Sequence, residues 1–325
     1  MVVPVANPTS SCVLYMLVRL ARLTQPNFKA LAASRGRAQL LTIPYSHFCE
    51  FGAWSLRAAS VPFDEHGFGP GGNVLPLVRL RLGDSERHVS TTSAVSMPSG
   101  EDETDVAVRG KRAGGSVTAV PACVLPDGRV LVDSWSIAEH ACAFAGLEPV
   151  PSQLKRCLDT RLGVLTRQLT YAYLLRPSNA RVWNGLILDG GSVAWRAAWW
   201  AGGSRLTERM TRTFSADDPE AIALCRYRLR EIFAQLDADF GIGGLGSRFL
   251  GGADEPGMAD IALASLTAPI VLPEAYCEGR FNRWFFALCE QDPSLREEVA
   301  SWRETPVGSH TLKVYEVCRF KPLGR

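Results

Sequence analysis

Two patterns of apolar and polar positions divide the chain near residue 150. Before that point, short apolar runs alternate with helix-like segments. The run "LLTI" (residues 40–43) has strand character, and small or apolar residues then recur at 48, 52, 55, 56 and 59, the spacing of one helix face. "VPFDEHGF" (residues 61–68) has the character of a second strand. This order predicts a βαβ unit with two parallel strands.

A hairpin and another helix are predicted downstream. Residues 122–125 and 129–132 have strand character and flank the turn sequence Pro126-Asp127-Gly128. "DSWSIAEHACAFAG" then predicts a helix that ends at Gly146. After a proline-bearing linker the pattern is helical to the end. We therefore expect an α/β domain of βαβ–ββα order (38–146), followed by an all-α domain (153–325).

Two segments depart from this plan. Residues 69–116 combine glycine and proline breakers with the polar run "DSERHVSTTSAVSMPSGEDETD", which buries too little apolar surface to offset the entropy of ordering. They are predicted to be a long insertion. Residues 1–37 form an amino-terminal extension with arginines but no acidic residue, typical of a helix or of an organelle-targeting segment. We expect a cytoplasmic protein, with an organelle as the alternative.

Composition and charge exclude several classes of function. The 325 residues carry a formal net charge of +2 with basic and acidic residues intermixed, so no basic stripe for nucleic acid is expected. The apolar run near residue 13 is too short to span a bilayer. The nine cysteines contain no C-x-x-C pair. We therefore expect no metal site and no disulfide scaffold, but reduced cysteines that pack as small apolar side chains.

Four blocks of sequence resemble the glutathione-transferase superfamily. "YSHFCEFGAWSLRAASVPFDE" is similar to the first strand-to-helix turn of bacterial-type members that carry an S-H-x-C-E motif. "AVPACVLPDGRVLVDSWSIAEH" resembles the Val-Pro and Asp-Ser block, and "RFLGGADEPGMADIALAS" resembles an element of the helical domain. "SWRETPVGSHTLKVYE" is similar to the tail of the same members. The resemblance implies a thioredoxin-like domain followed by an all-helical domain.

The resemblance also implies which residues act at the first turn. Ser46 and Cys49 fall on the first and last positions of the thioredoxin-fold C-x-x-C pattern. Ser46 is the expected catalytic residue, donating a hydrogen bond to the glutathione thiolate, and an ordinary helix cap is the alternative role. Cys49 and Tyr45 are the alternative catalytic residues, with an inward, structural thiol favoured for Cys49. His47 is expected to be a solvated loop residue rather than a base.

Further glutathione contacts are implied downstream. Pro121 resembles the superfamily's cis-proline, and the backbone of Val120 would then pair with the cysteinyl amide of glutathione. Ser134 would hold the γ-glutamyl carboxylate, and Asp133 would face the ammonium group. Helix capping is the other role open to both. Asp260 matches a structural aspartate of a helix-capping box. Gly257 stands where that box normally has Ser or Thr, so the hydroxyl half of the box is absent.

The aromatic-rich part of the second domain is the expected place for an electrophilic, apolar substrate, although ordinary core is favoured for each residue. Its members are Tyr171, Tyr173, Trp183, Trp195, Trp199 and Trp200. The resemblance thus implies a glutathione transferase of the detoxification type, with glutathione as co-substrate and a homodimer as its expected assembly. A thiol reductase using Cys49 and a non-catalytic binding or scaffold protein are the alternatives.

Overall fold

The computed structural model describes residues 26–323, except 70–71, 74–75, 78–79, 81–119 and 190–192. The strands are β1 (Ala38–Thr42), β2 (Phe63–Gly67), β3 (Ala122–Val124) and β4 (Val130–Leu131). The helices are α1 (Phe28–Arg35), α2 (His47–Ala58), α3 (Ser134–Ala145), α4 (Ser152–Cys157), α5 (Gly163–Leu174), α6 (Ala180–Leu188), α7 (Val193–Thr213), α8 (Pro219–Phe240), α9 (Met258–Val271), α10 (Arg280–Gln291), α11 (Pro293–Arg303) and α12 (Pro306–Cys318). A π-helical segment, Leu158–Leu162, joins α4 to α5.

The four strands form one mixed sheet in the order β2-β1-β3-β4. β1 is parallel to β2, whereas β3 is antiparallel to both β1 and β4. All five residues of β1 are buried because β1 is an inner strand with chain packed on both faces. The predicted βαβ–ββα order is confirmed, and the elements after residue 151 are helical. The fold is a thioredoxin-like α/β region followed by an all-α region.

Helix α2 is enclosed on nearly every side. Ten of its twelve residues are buried, since α3 packs against one side of it and α9 against another. The sequence pattern predicted a single apolar face, and the observed burial is wider because the helical region covers the side that faces away from the sheet. A Cβ on Gly52 would lie 3.2 Å from the ring of Pro121, so glycine lets α2 lie close against the start of β3.

Helix α3 begins and ends where the sequence predicts. Asp133 is its N-cap and accepts a hydrogen bond from the Ser136 amide at 2.7 Å. The Ser136 hydroxyl oxygen accepts one in return from the Asp133 amide at 3.4 Å. Gly146 ends the helix in the left-handed conformation (φ 67°), which costs glycine little.

The helical region is built around α9, of which thirteen of fourteen residues are buried. Met258–Gln291 is the one stretch of the described chain that is long and apolar enough to cross a membrane, by length and composition only. It covers α9 and α10, and 83% of its most apolar window is buried inside the molecule. Arg303 donates hydrogen bonds to the carbonyls of Val271 and Leu272, both at 2.7 Å, where α9 ends. These contacts make the stretch part of the folded core.

A buried ion pair joins the two regions. Arg319, which follows α12, is 1% exposed and donates to both carboxylate oxygens of Glu50 on α2, at 2.7 and 2.9 Å. The Tyr315 hydroxyl donates to the same carboxylate at 3.2 Å, and the guanidinium lies 5.2 Å from the centre of the Trp54 ring. The Leu323 amide then bonds to the Ala58 carbonyl at 2.8 Å. The end of the chain thus closes over α2.

Several predicted segments lie wholly or partly outside the described residues. Most of the predicted insertion at 69–116 does, as does the predicted extension up to residue 25. Helix α1 lies within the rest of that extension, and its Phe28 and Ala32 pack into a small second core with Leu41. The predicted boundaries of the two domains stay predictions.

Loss of the Glu50–Arg319 pair is expected to destabilise the fold. Arg319→Met leaves the Glu50 carboxylate buried without its cation, which costs about 3–5 kcal/mol in the free energy of unfolding. The double variant Glu50→Gln/Arg319→Met removes both charges and should recover most of that loss. Arg57→Met, which breaks partly exposed pairs with Glu65 and Glu278, should cost about 0–1 kcal/mol. Chemical denaturation of the three variants measures this, and equal losses in both Arg319 variants would contradict it.

Candidate functional site

The register of the sheet brings three loops to one end. Leu41 of β1 lies opposite Ala122 at the start of β3, and Cys123 lies opposite Leu131 at the end of β4. Because β3 is antiparallel to both neighbours, β1 and β4 run toward the end of the sheet where β3 begins. The turn after β1, the residues before β3 and the start of α3 therefore meet there.

These three loops carry the residues that the superfamily resemblance singled out. Ser46 lies in the turn after β1, Val120–Pro121 immediately precede β3, and Asp133–Ser134 open α3. We call this group the sheet-end site. The first turns of α2 and α3 also lie at it, and their free backbone N–H groups favour an anion.

Ser46 is the N-cap residue of α2, and its side chain makes no capping hydrogen bond. Its carbonyl accepts from the Glu50 amide at 2.8 Å, so the backbone alone begins the helix. The hydroxyl lies beside the Cys49 sulfur, where its hydrogen bond is one of the influences that lower the pKa of that thiol. The capping role considered for the Ser46 side chain is thus not the one it has here.

Cys49 is buried, and its sulfur accepts a hydrogen bond from the Ile43 amide at 3.3 Å. Burial is the largest influence and raises the pKa of the thiol to about 12, although the Ile43 amide and Ser46 oppose it. A thiol with that pKa is protonated at neutral pH and is a poor nucleophile. The position is that of an inward, structural cysteine.

Tyr45 points its hydroxyl into the protein. The oxygen is buried and has no hydrogen-bond partner among the described residues. Burial, with Tyr171 and Cys49 as lesser causes, raises the pKa of the phenol well above 10. The backbone carbonyl of Tyr45 accepts a hydrogen bond from the Tyr276 hydroxyl at 3.2 Å, so the turn is held by the helical region.

His47 differs from the sequence-based prediction of a solvated loop residue. It is the first residue of α2, is buried, and its Nε2 lies 2.8 Å from the Gly163 carbonyl oxygen at the start of α5. Burial, followed by the cation of Arg167, lowers the pKa of His47 to about 3. The ring is therefore neutral and donates Nε2–H to the carbonyl. Its role is to bind the helical region to the sheet region.

Two further loops complete the sheet-end site. The Val120–Pro121 peptide bond is cis. Ser134 is buried at the first turn of α3, and Asp133 is half-buried. The Asp133 Oδ1 atom caps Ser136, while Oδ2 makes no hydrogen bond within the described chain. One carboxylate oxygen of Asp133 is thus engaged by the helix and the other is not.

Asp260 is buried and accepts three hydrogen bonds from the folded chain. Its Oδ2 accepts from the Gly257 amide at 2.8 Å, and its Oδ1 accepts from the Leu250 amide at 3.0 Å and from His310 Nε2 at 2.7 Å. Gly257 has no side chain to return a bond, so half of the capping box is absent. His310 takes part in its place, a partner that the sequence pattern does not reveal because it lies fifty residues away.

The aromatic-rich stretch does not form one pocket. Tyr173, Trp183 and Trp199 are core residues, with 4%, 2% and 5% exposure, whereas Trp200 is 75% exposed. Trp195 is half-buried and lies over the loop after β2, where a Cβ on Gly69 would come within 2.4 Å of its ring. Only Tyr171 is grouped with the side chains around Tyr45. The core role favoured for individual residues therefore describes most of them.

Arg167 is the charged residue near this site that the sequence reasoning missed. A Cβ on Gly163 would lie 2.7 Å from the Phe48 ring, so glycine lets α5 begin against α2. One turn later Arg167 lies 5.7 Å from the centre of that ring. A signal was available, because the α5 sequence "GVLTRQLTYAYL" contains no acidic residue to pair with the arginine along the helix.

Within the described ranges, no group of three or more His, Cys, Asp or Glu side chains is placed to hold a metal ion. The eight cysteines of those ranges are free, and seven are buried.

No protein-family model matches the chain, and no curated protein matches it. Solved structures do. One is a glutathione S-transferase from Methylobacillus flagellatus with glutathione bound, at 14% identity over 84% of this chain and 98% of that one, with a TM-score of 0.37. Another is a glutathione transferase from Pseudomonas putida with glutathione disulfide bound, at 13% identity over 89% and 99%, with a TM-score of 0.41.

A third is a glutathione S-transferase of Ceriporiopsis subvermispora in complex with glutathione, at 16% identity over 78% of this chain and 97% of that one, with a TM-score of 0.43. All three are glutathione transferases, the superfamily that the sequence blocks resemble. At these identities and scores the similarity gives no argument about activity. The chemistry open to this chain therefore depends on its own sheet-end site.

His47 makes the stability of the protein fall at acidic pH. Its pKa is about 3 when folded and near 6.5 when unfolded, so between these values only the unfolded chain binds the proton. Going from about pH 7.5 to about pH 5, wild type should lose roughly 2 kcal/mol more free energy of unfolding than His47→Gln, whose amide still donates to Gly163. Urea denaturation at both pH values measures the difference, and parallel losses would show that His47 is not held neutral.

Proposed function

We propose that the sheet-end site binds glutathione and that the protein transfers its thiolate to an electrophile. The observation that carries the proposal is the sheet register, by which the turn at Ser46, the cis peptide at Val120–Pro121 and the start of α3 meet at one end of the sheet. Glutathione needs three kinds of contact: a donor for its sulfur, an extended backbone for its cysteinyl amide, and an anion site for its γ-glutamyl carboxylate. Each loop offers one of them.

The roles follow from the groups present. The Ser46 hydroxyl, which makes no capping bond, donates to the sulfur, while the first turn of α2 favours negative charge there. The Val120 backbone N–H and C=O pair with the cysteinyl amide in the manner of an added strand. Ser134 and the first N–H groups of α3 hold the carboxylate, and the free Oδ2 of Asp133 faces the ammonium group.

The reaction is a nucleophilic substitution or addition at carbon. A free thiol has a pKa of roughly 8.5. A site that lowers the pKa of the bound thiol by a few units makes the thiolate the main form at neutral pH. The thiol proton leaves to solvent. With a chloronitroarene, the sulfur forms a bond to the ring carbon that carries chlorine, and chloride departs with the electron pair of the broken bond.

The alternative of a reductase that uses Cys49 is disfavoured by the buried position of that thiol and its pKa of about 12. A reductase needs an accessible thiolate to attack a mixed disulfide. A non-catalytic protein that binds glutathione remains the second candidate, since binding uses Val120, Asp133 and Ser134 and does not require Ser46.

Retention on immobilised glutathione tests the binding step. Wild type and Cys49→Ala should be retained, and Ser134→Ala should be lost from the resin because it removes the hydroxyl that holds the carboxylate. Circular dichroism of each variant serves as the folding control. Failure of folded wild type to bind would overturn both glutathione-dependent functions.

Turnover of 1-chloro-2,4-dinitrobenzene with glutathione tests the chemical step. Ser46→Ala should lower kcat by roughly 10²–10³, the usual effect of removing one donor to a developing or bound anion. Cys49→Ala should stay within about 3-fold of wild type, since a protonated, buried thiol takes no part. Retention on the resin without any turnover would identify a binding protein, and loss of activity only in Cys49→Ala would refute the role of Ser46.

A further inference from the structure

Among the described residues, Arg167 is a cation without an anion. In the part of the chain that the structure describes, its guanidinium forms no ion pair and no hydrogen bond, and its Nε atom has no accessible surface and no partner. Leaving such a donor unsatisfied costs free energy, and leaving a charge without a partner in a poorly solvated place costs more. Only Nε is fully enclosed, so the two Nη nitrogens are the ones that a ligand can reach.

Two aromatic rings hold the guanidinium in place. Its central carbon lies 5.7 Å from the ring centre of Phe48 on α2 and 5.1 Å from that of Phe214, which follows α7. Contacts of a cation with ring faces offset part of the desolvation cost. The Tyr171 ring lies 4.7 Å from Phe214 and extends the same aromatic wall. The wall can receive a flat ring beside the charge.

The titratable groups around Arg167 are neutral at pH 7. Burial raises the pKa values of Tyr45 and Tyr171, and it lowers that of His47 to about 3. Cys49 is a thiol for the same reason. The carboxylates that influence Cys49 are engaged elsewhere: Glu50 with Arg319 and Glu65 with Arg57.

Tyr45, whose ionisation is influenced by Tyr171, carries another unsatisfied donor in its hydroxyl. That hydroxyl is buried and unpartnered, like the Nε of Arg167. Tyr45, Phe48, Arg167, Tyr171 and Phe214 are each partly exposed as residues, so the group they form reaches the surface. We call these five residues the Arg167 group. It combines one positive charge, hydrogen-bond donors without a partner and a flat apolar wall.

We propose that the Arg167 group receives the carboxylate of an aromatic acid, so that the second substrate of the proposed transferase is an anionic electrophile. The inference rests on the proposed function. Arg167 lies on the helical region, whereas the proposed glutathione contacts all come from the sheet region, so Arg167 serves the other substrate. Its planar fork matches a carboxylate, and the aromatic ring of the acid lies against Phe48 and Phe214.

The position of the group fits attack by the thiolate. Phe48 is two residues from Ser46, the proposed donor to the sulfur, so a ring that rests on Phe48 lies near the reacting atom. The carboxylate itself is unchanged in the reaction. In 4-chloro-3-nitrobenzoate the sulfur bonds to the ring carbon that carries chlorine, chloride leaves with the electron pair, and the thiol proton goes to solvent.

Binding without glutathione tests the anion site, because no reaction then occurs. Titration calorimetry compares 4-chloro-3-nitrobenzoate with 4-chloro-3-nitrobenzamide, which has nearly the same shape but no charge. Wild type should bind the acid roughly 10- to 100-fold more tightly than the amide, the range expected of hydrogen bonds to a charged group. Arg167→Gln should remove this preference, and Arg167→Lys should keep part of it.

Matched controls separate charge from folding. Arg230→Gln removes another guanidinium that lies over a ring of the helical region, 5.6 Å from the centre of Trp302, and should leave the preference unchanged. If Arg167→Gln fails to fold, Arg167→Lys carries the test and should weaken binding of the acid more than binding of the amide. Wild type that binds acid and amide equally, or neither, overturns the inference.

Turnover distinguishes failure of the inference from failure of the proposed function. With glutathione present, the ratio of kcat/KM for 4-chloro-3-nitrobenzoate to that for 1-chloro-2,4-dinitrobenzene should fall roughly 10-fold or more in Arg167→Gln. An unchanged ratio in an active enzyme refutes the anion site and leaves the transferase intact. If wild type turns over neither compound but calorimetry shows the preference for the acid, the proposed transferase is refuted and the anion site stands.

Discussion

The buried ion pair of Glu50 and Arg319 is the interaction on which the arrangement of the molecule depends. Glu50 lies buried in the first turn of the enclosed helix α2, where an isolated carboxylate is unfavourable, and its counter-ion Arg319 follows the last helix of the helical region. The helical region must therefore close over α2 for the charge to be balanced. That closure also buries Cys49 and His47, and so it decides which side chains of the first turn are chemically inert.

Burial favours the uncharged form of each titratable side chain in this turn. It makes His47 neutral, keeps Cys49 protonated and leaves Tyr45 uncharged, so three of the four polar side chains that crowd the turn lose their reactivity. Ser46 needs no ionisation to donate a hydrogen bond, and it is free of a capping role. The reactive charge is then expected on the ligand. Arg167 has no carboxylate partner among the described residues, so its counter-ion is likewise expected on a ligand.

Local patterns accounted for the elements and their order, but not for every contact. The strand-turn-strand around Pro126 to Gly128 and the helix between Asp133 and Gly146 were predictable because turns and caps depend on neighbouring residues. His47 was not, because its partner at Gly163 lies 116 residues away. The partners of Asp260 and Glu50 were missed for the same reason. Arg167 was missed as well, although the sequence of α5, which contains no acidic residue, offered a local signal for it.

By itself, the sequence determined the βαβ–ββα order and the all-helical remainder, since alternation, breakers and caps are local properties, and its resemblance to glutathione transferases pointed to the three loops of the sheet-end site. The tertiary structure alone decided the state of each side chain in those loops. Whether a thiol, phenol or imidazole ionises depends on how much water and charge surround it, and at Tyr45 and His47 the neighbours that matter include Tyr171, Arg167 and Gly163 of the helical region. The same packing left Arg167 over two aromatic rings, with no acid beside it in the part of the chain that the structure describes.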